Sequence, residues 1–311
     1  MLDKQIQKRL DDKLKVIKNA RPLPASVVSK LKEQFSIDMT YNSNAIEGNR
    51  LTLKETYWVI SEGITVKGKS LKDHLEAKDH YEAVNYLYEL VKYNKKATVS
   101  EHLIRSLQQL IVSETDSKHA GTYRDGNVYI TGSSHVPPDA YELPKLMNDL
   151  ILWVRSKIKT MHVVELAALA HHKLVSIHPF FDGNGRTARL FMNLLLMQKG
   201  YPLVIILKND RKKYYDVLQK ADLGNYKPLI VFIAQAVERT TNIYLKVLPQ
   251  IKTKTNKFLP LSVIAKKTPY SEKYLNLLAR YGKIEAHKEG RIWLTTMDAI
   301  KSYQALRQRK R

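Results

Sequence analysis

The run His178-Pro179-Phe180-Phe181-Asp182-Gly183-Asn184-Gly185-Arg186-Thr187-Ala188-Arg189 constrains this 311-residue chain more than any other feature. Pro179 disfavours α conformation at His178, so the preceding helix should end there. His178 then sits on a loop, where an imidazole can reach a ligand. Gly183-Asn184-Gly185 permits a tight turn and close backbone approach. A new helix is expected at once, near Asn184–Gln198, with Leu190, Leu194 and Met197 on one face and Arg186 and Arg189 together on another. A glycine-rich loop opening a helix offers unpaired N–H groups and a positive dipole end to an anion. The two arginines add bidentate phosphate donors. Asp182 supplies a hard oxygen suited to Mg²⁺ held by one carboxylate plus phosphates. His178 can act as a general base near neutral pH. The sum fits nucleotidyl or phosphoryl transfer. Each piece also has an ordinary reading: His-Pro and Asp-Gly-Asn-Gly as turns, the arginines as a solvated helix face. Their conjunction within twelve residues favours a site.

The rest of the chain reads as mostly helical. Glycine is scarce (12 residues) and strand-like alternation is rare. Helical stripes are expected at Ser26–Asn44, Leu53–Ser61, Asp73–Lys95, Ser100–Ser113, Asp139–Lys157, Met161–Ser176, Asp210–Ala221 and Pro228–Val247. Thr52 and Glu55 form a capping box for the second of these, and Gly48 stops the first. Gly121–Gly132 breaks the pattern: the Asp125-Gly126-Asn127 turn signal beside β-prone Val128-Tyr129-Ile130 predicts a short hairpin. The chain has no cysteine, which excludes a disulfide scaffold, a thiol nucleophile and cysteine-ligated metal. A zinc site at His171 and His178 near Glu165 is disfavoured against core histidines. Apolar stretches such as Leu229–Ala234 are far below the roughly 18 residues of a membrane span, and the opening residues lack an apolar signal region. The expectation is a soluble, cytoplasmic protein with no membrane partner.

The signature run resembles that of the Fic family, His-Pro-Phe-x-Asp/Glu-Gly-Asn-Gly-Arg-x-x-Arg, without a departure. The likeness extends from about Arg21 to Leu248 and includes Tyr123-Arg124, Gly200-Tyr201-Pro202 and Asp210-Arg211-Lys212-Lys213-Tyr214-Tyr215. It implies a helical bundle with a short β-hairpin flap, and a protein adenylyltransferase that moves AMP from ATP to a Ser, Thr or Tyr hydroxyl of a target protein or of itself. On that resemblance His178 is the base and Asp182 holds Mg²⁺. Gly183, Asn184 and Gly185 line the anion cradle, and Arg186 and Arg189 take the outer phosphates. Tyr214 and Tyr215 sit by the nucleoside. Animal members have an Asn where this chain has Asp222, which leaves base recognition open. Gly185 favours AMP transfer over the phosphate transfer of Doc-type kinases, which carry Lys there; phosphocholine or UMP transfer stays open.

Ser43 and Glu47 are four apart and share a helix face. Alone, Glu47 reads as surface charge at a helix end. The run Ser43-Asn44-Ala45-Ile46-Glu47-Gly48-Asn49 resembles the family's inhibitory signature in members that carry it N-terminal to the core. It implies that Glu47 pairs with Arg189 and holds the enzyme off, and that Glu47 can also serve removal of AMP. The hairpin corresponds to the family's flap, with Val128, Tyr129 and Ile130 as candidates to dock an extended target segment.

The charge is strongly basic, with 52 Lys+Arg against 30 Asp+Glu, a net +22. Half of the excess, +11, lies in residues 251–311. A basic surface attracts polyanions, although lysine richness can also be a plain solvated surface. The polar stretch 249–257 reads as a linker. Residues 258–311 read as helix, helix, hairpin, helix, and resemble a small winged helix-turn-helix. Lys273, Arg280, Lys288 and Arg291 are candidates for phosphate contacts with DNA. The expected organisation is a helical region at 1–110 with the inhibitory helix, a Fic core at 111–248, the linker, and the basic module. A homodimer is expected from the resemblance. The alternative is a DNA-binding regulator that uses the Fic body as a nucleotide sensor.

Overall fold

The structure is a computed structural model that describes residues 1–93, 99–247 and 257–308. Among the described residues, ten α-helices precede the basic module. They are α1 (Lys4–Asn19), α2 (Ala25–Ile46), α3 (Leu53–Ser61), α4 (Leu71–Tyr93), α5 (Glu101–Ile111), α6 (Leu143–Lys157), α7 (Val163–Ile177), α8 (Asn184–Gln198), α9 (Arg211–Asp222) and α10 (Lys227–Lys246). The central helix is α8. Apart from Gly185, every residue from Asn184 to Met197 on it is buried, as expected of a helix covered on all sides. It packs most extensively against α7, then against α5 and α4.

Local chemistry sets several of the boundaries. The capping box predicted at α3 forms in both directions: Glu55 N–H donates to Thr52 Oγ1 at 3.2 Å and Thr52 N–H to Glu55 Oε2 at 2.7 Å. The predicted bounds of α3 and α8 match the structure. Helix α1 was not picked out from the sequence, although Ile6, Leu10, Leu14 and Ile17 bury one stripe of it, which packs on α10.

Two expectations need correction. No strand is paired within 121–132; the described strands all lie in the basic module. The would-be hairpin is held by a side chain instead of a ladder. Arg124 is buried and donates to the carbonyls of His178 (2.9 Å), Gly126 (2.9 Å) and Pro138 (2.5 Å). Those bonds tie the turn from Arg124 to Gly126 to the loops at His178 and Pro138, and no strand faces it. The boundary expected after residue 110 falls within the last turn of α5, and one continuous core runs from Leu2 to Val237. The N-terminal helices and the Fic core are therefore one packed body.

A second core, built on Leu261, Ile264, Leu275, Leu278, Ile284 and Ile300, belongs to the C-terminal module. The expected linker lies outside the described residues except for Lys257. The module runs β1 (Leu259–Pro260), α11 (Leu261–Ala265), α12 (Glu272–Arg280), β2 (Ala286–Glu289), β3 (Ile292–Thr295) and α13 (Met297–Gln308). Its sheet is antiparallel in the order β1-β3-β2. Ser271 caps α12, its side chain accepting from Tyr274 N–H. Strand β1 was not foreseen, because two residues carry no period. The module docks on α1 and α10. Arg9 donates to Gly282 O at 3.1 Å, Lys13 pairs with Glu285 at 2.6 Å, and Gln235 donates to Ala279 O at 2.8 Å.

Candidate active site

Helix α7 ends at His178, whose backbone enters the left-handed region (φ 50°, ψ 56°). A non-glycine residue there is uncommon, and such strain gathers at functional sites. The bend is over-determined. His178 N–H donates to Leu174 O at 3.1 Å, and Arg124 takes the His178 carbonyl. The Arg124 N–H also donates to Pro179 O at 3.0 Å. Burial pushes the His178 imidazole down to about 4, with the Val175 backbone and the Glu47 charge opposing. The ring is therefore neutral, the form a base requires.

The loop between α7 and α8 is closed by Asn184. Its amide donates to Phe180 O at 2.7 Å and accepts from Phe180 N–H at 2.9 Å. Its side chain thus fastens the loop, while its backbone stays in the turn that opens α8. Gly183 adopts φ 82°, and a Cβ there would stand 3.2 Å from Ile111 Cγ2, so the turn needs glycine. Gln108 on α5 braces the preceding residue, donating to Asp182 O at 3.1 Å.

At the start of α8, Asp182 accepts from Gly183 N–H at 2.5 Å and from Arg186 Nη2 at 2.9 Å. Burial raises its pKa, but the Arg186 charge and these donors outweigh it and hold the carboxyl below its ordinary range. Its side chain stays 43% exposed, so the ionised oxygen is open at the mouth of the cradle. One open, ionised carboxylate fits a Mg²⁺ ion that keeps waters and phosphates as its other ligands. Arg186 is almost fully buried; its Nε and Nη1 make no hydrogen bond among the described residues, and Nη1 stands 3.7 Å from Glu76 Oε1. A buried guanidinium with hydrogen-bond donors left unmade is a costly arrangement that an anion would relieve.

Arg189, one turn further on, is fully engaged. Its Nε donates to Ser43 Oγ at 2.9 Å, and Nη2 donates to Ser43 O at 2.8 Å and pairs with Glu47 Oε1 at 2.7 Å. Burial would lower its pKa, but Glu47 and Tyr214 raise it above the usual value. Glu47 is the C-cap of α2 and lies across the helix start: a Cβ at Gly185 would overlap its Oε1. Ser43 and Glu47, four apart on one face, thus meet both the α8 N-terminus and Arg189.

The remaining predicted residues separate. Tyr215 is at the edge of this contact, 39% exposed, with its hydroxyl donating to Ile46 O at 3.3 Å. Tyr214 is buried beneath it. Its hydroxyl lies 2.9 Å from His171 Nε2 and 3.5 Å from Arg189 Nη1, and its ring stacks on Phe232. It supports Arg189 and is not open to a nucleoside. Asp222 meets His172 Nε2 at 2.8 Å and Ser176 Oγ at 3.2 Å, on the face of α7 two residues before His178. Tyr129 is 87% exposed beside half-buried Val128 and Ile130, on the segment that Arg124 pins. The roles of Arg124, Gln108 and His80 were not legible in the sequence. His80 is fully buried, and burial together with Arg189 and Arg186 holds it well below its ordinary value.

The Fic/DOC family profile matches residues 98–196. The Protein adenylyltransferase Fic of Aedes aegypti is 40% identical over 246 residues, covering 78% of this chain and 48% of that one. The chain thus spans about half the length of the curated relatives it matches. A Fic domain containing signaling protein from Bacteroides thetaiotaomicron superposes with a TM-score of 0.71 at 28% identity, over 78% of this chain and 96% of that one. A Fic family protein from Desulfovibrio desulfuricans superposes over 96% of this chain and 97% of its own, with a TM-score of 0.65 at 21% identity, a likeness of fold. With the signature run folded around the α8 N-terminus and relatives of this identity, residues 98–196 are a Fic/DOC family domain in a chain homologous to Fic adenylyltransferases.

Proposed function

We propose that the chain is a protein adenylyltransferase that is held off by its own Glu47. A target hydroxyl oxygen attacks the α-phosphorus of ATP, the bond from that phosphorus to the bridging oxygen breaks, and pyrophosphate leaves. His178 takes the hydroxyl proton. The N-terminal turn of α8, Arg186 and Arg189 bind the phosphates and spread their charge. Asp182 would hold Mg²⁺, which supplies further charge neutralisation at the phosphates. The observation that carries the reading is the convergence of a neutral His178, an ionised Asp182 and two buried arginines on one helix start.

The inhibition follows from occupancy. Glu47 Oε1 covers Gly185 and pairs with Arg189 at 2.7 Å. An outer phosphate that seeks the same guanidinium must displace a carboxylate fixed at the end of a 22-residue helix. ATP is then bound in a pose unsuited to in-line attack. The same carboxylate can orient a water for the reverse removal of AMP. Docking of the target on Val128, Tyr129 and Ile130, and a winged-helix reading of residues 258–308, belong to the same proposal.

Incorporation of α-³²P from ATP with Mg²⁺ tests it, in the parent, Glu47→Gly and His178→Ala. The expected result is strong label in the Glu47 variant, little in the parent and none in the His178 variant. Equal label in all three would overturn the assignment of both base and brake.

A further inference from the structure

A sizeable cavity among the described residues lies away from the Fic loop. It lies between the Fic body and the C-terminal module and has a volume of about 880 Å³, the size of a small-molecule site. Its walls face one another: the outer side of α9 and the start of α10 on one side, α12 and the β2–β3 turn on the other. Seven cations line it against two carboxylates. Both carboxylates are already engaged, Asp216 with Lys220 at 2.8 Å and Asp3 with Lys283 at 2.7 Å. That leaves Lys213, Lys227, Arg280, Lys288 and Arg291 without an ion pair among the described residues, on both walls of one space.

The floor of the cleft is aromatic. Lys213 Nζ lies 5.3 Å from the Phe232 ring centroid on α10 and 5.5 Å from that of Trp293 on β3. This places one cation against two rings and ties the wing strand to the body. Burial lowers the Lys213 pKa; Asp210 opposes, and Lys288, Arg280 and Arg239 push it further down. The start of α10 has no side-chain cap, so its positive end adds to the field. Like charges collected in a concave, partly apolar space repel one another until a multivalent anion joins them.

From this juxtaposition of five unmatched cations around an aromatic floor, we propose a second ligand site, distinct from the Fic cradle, for a nucleoside polyphosphate. The phosphates bridge the two walls, from Lys227 on the body to Arg280, Lys288 and Arg291 on the module. The base lies against Trp293 and Phe232. The size of the space favours a compact polyanion over a duplex, whose phosphates are spread along an open surface. Of the four cations first assigned to DNA contacts, Arg280, Lys288 and Arg291 line this cleft and Lys273 does not.

The chain has three tryptophans, so the full-length Trp58→Phe, Trp153→Phe form reports on Trp293 alone. Its emission is followed on titration with tripolyphosphate, ATP and a 20-base-pair duplex, without divalent metal. The expected result is saturable change with both small ligands, with ATP binding more tightly because it also covers the ring. Adding Arg280→Glu and Arg291→Glu, two exposed positions, should weaken both at least tenfold. Lys227→Glu on the opposite wall should do the same, and Arg186→Ala in the Fic cradle should leave the cleft response unchanged. The proposal is overturned if there is no saturable response, if charge reversal leaves it unaltered, or if Arg186→Ala abolishes it. It is also overturned if the duplex alone binds, which would make the cleft part of a nucleic-acid surface.

Discussion

Two regions of this chain gather cations at a helix N-terminus, and they resolve the charge differently. At the start of α8, Arg189 is matched by Glu47 and Arg186 by Asp182. At the start of α10, five cations share a cleft whose two carboxylates are committed elsewhere. The difference lies in how the counter-charge is held. Glu47 is the cap of α2, and Ser43 one turn earlier is bonded to the same arginine, so the carboxylate is delivered by a packed helix. Asp3, the half-buried N-cap of α1, and Asp216, exposed on α9, settle on nearby lysines. A buried arginine matched from within is a lock that must be opened. An unmatched cluster is a vacancy for charge that a ligand can fill without displacing anything.

The comparison can be broken most severely at the base. His178→Ala should cut AMP transfer by about 10²–10⁴-fold, measured by label incorporation in the Glu47→Gly background. The same variant should leave the response of Trp293 to tripolyphosphate intact.

Acid should separate the two regions next. His171 and His178 are pushed by burial to about 3 and about 4. Both lie below the unfolded value near 6.5, so the unfolded chain binds more protons as the pH falls. Their neutral, buried state contributes stability that is complete above about pH 6.5 and declines below it, by about 1.4 kcal/mol per pH unit per histidine. Urea midpoints at pH 7, 6 and 5 should fall accordingly, and His171→Asn should make the fall shallower by close to one proton. An unchanged slope would mean that His171 does not titrate on unfolding.

Opening the lock should raise AMP transfer about ten- to a hundredfold in Glu47→Gly, since a partly exposed ion pair resists displacement by about 1–3 kcal/mol. Gly185→Ala sharpens the geometry. In the parent its methyl meets Glu47 Oε1 and should destabilise the chain by about 1–3 kcal/mol. In the Glu47→Gly background the same change should be neutral or mildly stabilising, because alanine suits a helix start better than glycine. Additive effects in this double-mutant cycle would remove Glu47 from the cradle. The smallest effect belongs to the cleft: Arg291→Glu should stabilise the ligand-free chain by about 0.2–1 kcal/mol by easing repulsion at an exposed position. A loss of stability there would show that the cations are already matched.

Much of this was written locally. Pro179 and the two glycines set the end of α7 and the start of α8, and Thr52 with Glu55 set the start of α3, because those constraints act within four residues. The signature run located His178, Asp182, Arg186 and Arg189 for the same reason. The segment 121–132 misled, since its turn signal is real but its partner strand was only assumed. The bonds that Arg124 makes to Gly126, Pro138 and His178 replaced the ladder. Tyr214 and Asn184 carry polar groups that suit a ligand, yet packing turned one beneath Arg189 and the other onto Phe180.

The sequence by itself determined the helices, the loop that offers backbone N–H groups, and the chemistry available at its edge. Each of these is set by torsional preference and short-range hydrogen bonding. The tertiary structure decided which charges meet. Ser43 and Arg189 are 146 residues apart in the chain, and the walls of the cleft come from α9, α10 and a separately cored module. Charge pairing over such separations depends on how helices pack, and packing is settled by the shapes of two cores, which no local pattern records.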